Sequence, residues 1–256
     1  MLGELARISQ AVGGRIDYVQ GGGGNASVKL PGGLMAIKAS GYRMSQITES
    51  DGFAIVETET LRDVTAAQGY RPLRPSVEVS FHALLRTYVI HTHPVYANLL
   101  LCSAEGPERL VSLMKDIRYI VVPYINPGAE LAKAIRQRLA PDTQAVFMMN
   151  HGLITTADDP DECLRLHEEV NGRAASAYGV TPADFDAFAA DMAKTLYPDQ
   201  QVYMGLTEVQ SEILAAVAFI QFTLRARGEH VRAMDEAAMA FIENWESEAY
   251  RKTILK

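Results

Sequence analysis

"QGGGGNASVKLPGGLMAIK", residues 20–38, decides between two α/β architectures. A glycine run that follows a strand and opens a helix marks a dinucleotide-binding unit. Here Gly21–Gly24 leads instead into Asn25-Ala26-Ser27-Val28-Lys29-Leu30, which reads as a strand. Pro31-Gly32-Gly33 is a turn signal and Leu34–Lys38 returns as a second strand, so 26–38 is a hairpin. The glycines either turn the chain or, through successive N–H groups, form a concavity for an anion.

Outward from the hairpin, residues 4–13 have helical periodicity ending at Gly13-Gly14, and Asp17–Gln20 reads as a short strand before the glycine loop. Further strands are expected at 53–57, 87–92, 119–122 and 145–149, and helices at 76–86, 97–102, 128–139 and 160–178. Hairpins mixed with crossover helices imply an α/β sandwich around a mixed sheet. From about residue 195 the character changes: "LYPDQQVYMG", 196–205, suggests a loop and short strand, followed by helices at 207–227 and 233–248. This segment reads as an appendage for packing or oligomerisation, without obvious chemistry of its own.

The 256 residues fit one large domain, or a domain with an extension, and 48% apolar with 21% charged residues is ordinary for a globular chain. A net charge of −7 argues against a general nucleic-acid binder, although local positive charge for a small anion is compatible with it. The longest apolar run, Ile213–Ile220, falls far short of the about 20 residues a membrane span needs. The N-terminus shows no basic region followed by an apolar core. Cys102 and Cys163, without CxxC spacing, point to a reducing compartment, so a cytoplasmic location is expected.

Chemistry concentrates in three places. "VIHTHP", 89–94, puts His91 and His93 on one face of a strand, since residues i and i+2 point the same way, and Pro94 places them at its end. Taken alone, the pair is either two metal ligands or two ordinary histidines. "AVFMMNHGLI", 145–154, holds His151 rigidly after an apolar strand, with Gly152 allowing a turn or a close approach. Three neutral imidazoles leave a zinc position open, as catalytic sites do; a satisfied core histidine is the other reading of His151. In "RPSVEVSFH", 74–82, Ser76 is an expected N-cap and Glu78 a first-turn acid favoured by the helix dipole. That helix start could also cradle a phosphate. "KASG", 38–41, adds a lysine, a hydroxyl and a glycine after the hairpin. His82 and His167 lie in helical patterns, as supporting partners or packing residues.

"GGGGNASVK", "KASG", "RPSVE", "VIHTHP" and "MNHGLI", followed by a helix containing "HEEV", together resemble the class II aldolase/adducin family in order and spacing, over about residues 20–178. Members of that family include L-fuculose-phosphate aldolase, and the details look closest to the aldolase portion of bifunctional rhamnulose-1-phosphate aldolase/alcohol dehydrogenase proteins. The tail resembles the end of that portion, so no dehydrogenase domain is expected. The resemblance implies a three-layer α/β/α sandwich around a mixed, largely antiparallel sheet, as a catalytic domain over 1–194 with a C-terminal helical extension over 195–256 packed on it. It implies Zn2+, or Mn2+ or Co2+, on His91, His93 and His151, with Glu78 as acid/base. It also implies phosphate contacts from Asn25, Ser40, Gly41 and Ser76, to which Lys38 is added on charge grounds.

The implied activity is retro-aldol cleavage of a ketose, foremost a ketose 1-phosphate, through a metal-stabilised enediolate, giving glycerone phosphate and an aldehyde. The resemblance also implies a homo-oligomer, a tetramer, with a sugar or sugar phosphate as its small-molecule partner. The fuculose-phosphate type carries two serines before the glutamate where this chain has Ser76-Val77, one hydroxyl fewer. Its proton-donating tyrosine has no aligned counterpart; Tyr96, Tyr119 and Tyr124 are the candidates. The family's epimerases carry an aspartate in place of this glutamate, so Glu78 favours the aldolase. A keto-sugar-acid phosphate decarboxylase and a metal-free scaffold of the adducin kind are the remaining alternatives.

Overall fold

In a computed structural model of the protein, which describes residues 1–196, 198, 200 and 204–246, the hairpin is the start of a seven-stranded sheet. Its strands are β1 (Asn25–Leu30), β2 (Leu34–Lys38), β3 (Phe53–Glu57), β4 (Tyr88–Thr92), β5 (Tyr119–Val122), β6 (Ala145–Met148) and β7 (Gly152–Ala157). They lie in the order β3-β2-β1-β4-β7-β6-β5. Every neighbouring pair is antiparallel except β5–β6. The sheet is therefore mixed and largely antiparallel, as expected.

Helices α1 (Leu2–Gly13), α3 (Val95–Leu101), α4 (Gly106–Leu113), α6 (Pro160–Tyr178), α7 (Pro182–Met192) and α8 (Glu208–Ala226) gather on one face. There Ile8, Leu99, Val170 and Phe219 pack with Ile90, Phe147 and Leu153 of the sheet. The other face buries Val89, Val146 and Ile154 beneath α2 (Val79–His82) and α5 (Ala129–Arg136), through Phe81, Leu131 and Ile135. Strand alternation sends Val89 to one layer and Ile90 to the other, which makes the molecule an α/β/α sandwich. The last described helix is α9 (Glu236–Asn244). Among the described residues no helix is long and apolar enough to cross a membrane.

Several boundaries differ from expectation. Asp17–Gln20 is no strand: residues 16–18 form a turn, closed by the Val19 N–H on the Arg15 carbonyl at 2.9 Å, and 19–20 continue without regular structure. The helix expected over 76–86 shrinks to one turn because its later bonds tighten to i→i+3, from Leu84 to Phe81 and Leu85 to His82, before β4 begins. Strand β7 and helices α4 and α7 were not foreseen. Gly152 and two threonines mask the strand, whereas α7 carries only Phe185 as a buried residue and starts from a Thr181–Asp184 capping box. The short strand expected within 196–205 and the helix end expected at 247–248 involve positions outside the described residues.

Candidate metal centre and substrate pocket

β4 lies between β1 and β7, with Asn25 directly opposite His91 on one side and Ile154 opposite it on the other. This central position buries His91 completely. Its Nδ1 lies 3.0 Å from the Leu153 carbonyl, a bond that places the ring proton there and leaves a lone pair on Nε2. Pro94 ends the strand and caps α3, so His93 stands at the rim. Its Nε2 is 3.2 Å from that of His91.

His151 arrives from the tight turn between β6 and β7. Asn150 takes a left-handed φ of 55°, and the His151 N–H closes the turn on the Met148 carbonyl at 3.1 Å. Gly152 follows because no side chain fits: a Cβ there would lie 2.3 Å from the Thr92 carbonyl and 3.0 Å from the His93 ring. The turn thus lies directly on the H-x-H segment. One ring nitrogen from each of His91, His93 and His151 falls within 4.8 Å of the others.

The donor set fits a divalent ion. Imidazoles meeting nitrogen to nitrogen, with His91 already protonated on its far side, direct lone pairs into one space. The buried Nδ1 of His151 has no hydrogen-bond partner, and its Nε2 points at Glu78. Three imidazoles suit zinc and its borderline neighbours.

Glu78 is the residue before α2 rather than part of its first turn. A four-residue helix has little dipole, so the expected source of its anionic character is corrected. Its carboxylate lies 3.2 Å from His151 Nε2 and 3.5 Å from His91 Nε2. Burial pushes this carboxyl upward, but its interactions with the His91, His151 and His93 rings outweigh it and hold the group well below its usual range. Asn25 Nδ2 donates to Glu78 Oε2 at 2.5 Å and to Ser76 Oγ at 3.1 Å, while Ser76 Oγ accepts the Glu78 N–H at 3.3 Å. Behind Asn25 stands His82, whose Nε2 bonds its Oδ1 and whose Nδ1 meets Ser27 Oγ at 2.7 Å. Burial first, then His91 and Lys29, keep the His82 ring neutral. His167, between Thr92 and Thr155, is a satisfied core histidine.

A cavity of about 290 Å³ opens on this cluster. Asn25, Ser40, Gly41, Ser76 and Glu78 line it together, because an antiparallel bridge between Ala39 and Pro75 holds the 40–41 turn beside the 76–78 segment. Lys38 also lines it, but its ammonium donates to the carbonyls of Gly22, Ala39 and Tyr42 and so ties the glycine loop to the turn. Of the candidate tyrosines, Tyr124 reaches the cavity; burial and then Asp235 push its phenol pKa up. Tyr96 is buried with its hydroxyl on Asp17, and Tyr119 packs on Phe147. Asn150, Met234 and Ile242 line the cavity too and were not foreseen. The last two are apolar residues of the C-terminal segment, and nothing in a helical pattern separates such residues from packing ones.

Comparisons with known proteins bear on the family and the fold. The chain is 28% identical over 186 residues, 67% of its length and 82% of the relative's, to 3-oxo-tetronate 4-phosphate decarboxylase of Escherichia coli O6:H1. It is 36% identical over 93 residues to the uncharacterized oxidoreductase YuxG of Bacillus subtilis, a match covering 35% of the chain and only 13% of that protein. Its fold is similar to a solved L-fuculose 1-phosphate aldolase, with a TM-score of 0.54 at 23% identity over 84% of this chain and 94% of the other. The model of the Class II Aldolase and Adducin N-terminal domain matches residues 3–178, and the chain belongs to that family.

Proposed function

We propose that the protein is a metal-dependent aldehyde-lyase that cleaves a ketose, foremost a ketose 1-phosphate, to glycerone phosphate and an aldehyde. The observation that carries this reading is the convergence of His91, His93 and His151 within 4.8 Å, with Glu78 3.2–3.5 Å from two of them. Zn2+, or Mn2+ or Co2+, held by these imidazoles supplies Lewis-acid stabilisation of negative charge on substrate oxygens. Glu78, kept anionic and aimed by Asn25, removes a proton from the nucleophilic carbon in the synthetic direction and returns it in cleavage. Tyr124, whose raised pKa keeps its phenol protonated, is the candidate donor to the aldehyde oxygen.

In this reading Asn25, Lys38, Ser40, Gly41 and Ser76 form the substrate end of the cavity, where backbone N–H groups and hydroxyls suit a phosphate. Residues 1–194 are the catalytic unit, residues 195–256 pack on it, and the protein works as a cytoplasmic homo-oligomer, a tetramer in the preferred form. Glu78→Gln is expected to retain its metal and lose roughly 100-fold or more of its cleavage rate, the usual scale for a removed acid/base. A variant with full metal and full cleavage would refute the role. The decarboxylase reading is favoured by the similarity to 3-oxo-tetronate 4-phosphate decarboxylase. Carbon dioxide release from a 3-keto sugar-acid phosphate, without aldehyde release from any ketose, would establish it instead.

A further inference from the structure

Glu212 of α8 is buried at 7% exposure, although it lies beyond the family-matched residues and far in sequence from the site. Its Oε2 accepts the Gly21 N–H at 2.6 Å, and its carboxylate takes the Arg43 Nη1 at 3.0 and 3.1 Å. Gly21 opens the glycine loop, whereas Arg43 stands two residues after Gly41. One carboxylate therefore ties together the two turns that end in the substrate cavity. Gly21 has a φ of +54°, and a Cβ on it would lie 2.6 Å from Val209 Cγ1, so α8 rests directly on the loop. From the inner side Lys38 holds the same loop through the Gly22 carbonyl at 3.2 Å. Further along the C-terminal segment, Met234 and Ile242 line the cavity itself.

We infer that Glu212 is a positioning residue for substrate-anion binding: it sets the spacing between the Gly21–Gly24 loop and the Ser40–Gly41 turn, which makes the C-terminal segment part of the substrate site. The inference rests on the phosphate-binding reading of that cavity. The side chain does not touch the substrate. It fixes the donors that do, so its removal weakens phosphate recognition and leaves the imidazole cluster intact.

The test measures binding of glycerone phosphate and of unphosphorylated glycerone, by calorimetry, to the metal-loaded full-length protein. Glu212→Ala is expected to weaken glycerone phosphate roughly tenfold or more, the scale of one lost charge-assisted hydrogen bond, with glycerone affinity and metal content unchanged. Glu212→Gln keeps an acceptor for the Gly21 N–H and is expected to restore most of the loss. Glu212→Asp keeps the charge, withdraws it by one methylene and decides the matter should the alanine variant not fold; it is expected to show the same selective loss, smaller in size. Unchanged glycerone phosphate affinity in the folded variants would overturn the inference. So would equal losses for both ligands together with metal, the mark of a general structural role. A wild-type protein that binds both ligands equally would remove the phosphate reading beneath it, and the inference with it.

Discussion

Imidazoles do opposite work in two parts of the molecule. His91, His93 and His151 bring ring nitrogens together beside the cavity, whereas His167, fully buried between two threonine hydroxyls, is kept uncharged by its surroundings. Burial first, then the influence of His91 and Arg15, push the His167 pKa down from 6.5 to about 3. Between these values the unfolded chain binds a proton that the folded chain refuses, so the stability from this ring is complete above 6.5 and declines as the pH falls toward 3. Urea unfolding of His167→Gln is accordingly expected to depend less steeply on pH between 6.5 and 4, by about one proton. Equal slopes for variant and parent would place the acid sensitivity elsewhere. A meeting of His91, His93 and His151 beside Glu78 was suggested by spacing and family resemblance, and the three rings do converge there. The Asn25–His82–Ser27 chain was not legible, because it depends on how the one-turn helix α2 docks on the face of β1, a tertiary contact that no local pattern encodes.

The decisive element is the β6–β7 hairpin. Asn150 and Gly152 allow a turn tight enough for His151 to meet the H-x-H strand, and the sequence marked that spot through the "NHG" break without revealing the strand that follows. Gly152→Ala would drive a Cβ into the Thr92 carbonyl. The variant is expected to bind zinc at least about tenfold more weakly, by competition with a chromophoric chelator, with far-ultraviolet circular dichroism preserved. Wild-type zinc affinity would mean that the turn can move aside. Other elements were read to within a few residues where periodicity and caps agreed, as in α6, whose N-cap Asp159 accepts two backbone N–H groups at 2.9 Å. The helix expected over 76–86 failed because its periodicity reports burial of Phe81 and Leu85, which a single turn satisfies equally well.

Taken whole, the molecule stores its chemistry where distant segments meet. Metal binding to the folded form alone adds RT ln(1 + [L]/Kd) to stability, about 2.7 kcal/mol at a hundredfold excess over Kd. Removing the ion with a chelator is therefore expected to lower Tm in differential scanning calorimetry, and readdition of zinc to restore it. An unchanged Tm would count against a resident metal. The α/β sandwich and the order of motifs were visible in the chain. The use of its C-terminal segment was not, since Glu212 and Ile242 look like ordinary residues of amphipathic helices until the glycine loop and the cavity they reach are in place. The last described strand in sequence, β7, takes a middle slot between β4 and β6. During synthesis, a ribosome must therefore deliver residue 157 before the sheet can close, and until then an incoming ion finds scattered imidazoles instead of a nest. Were a metal to bind these imidazoles, its capture would report completion of the sheet, and a nascent chain stalled earlier would emerge empty.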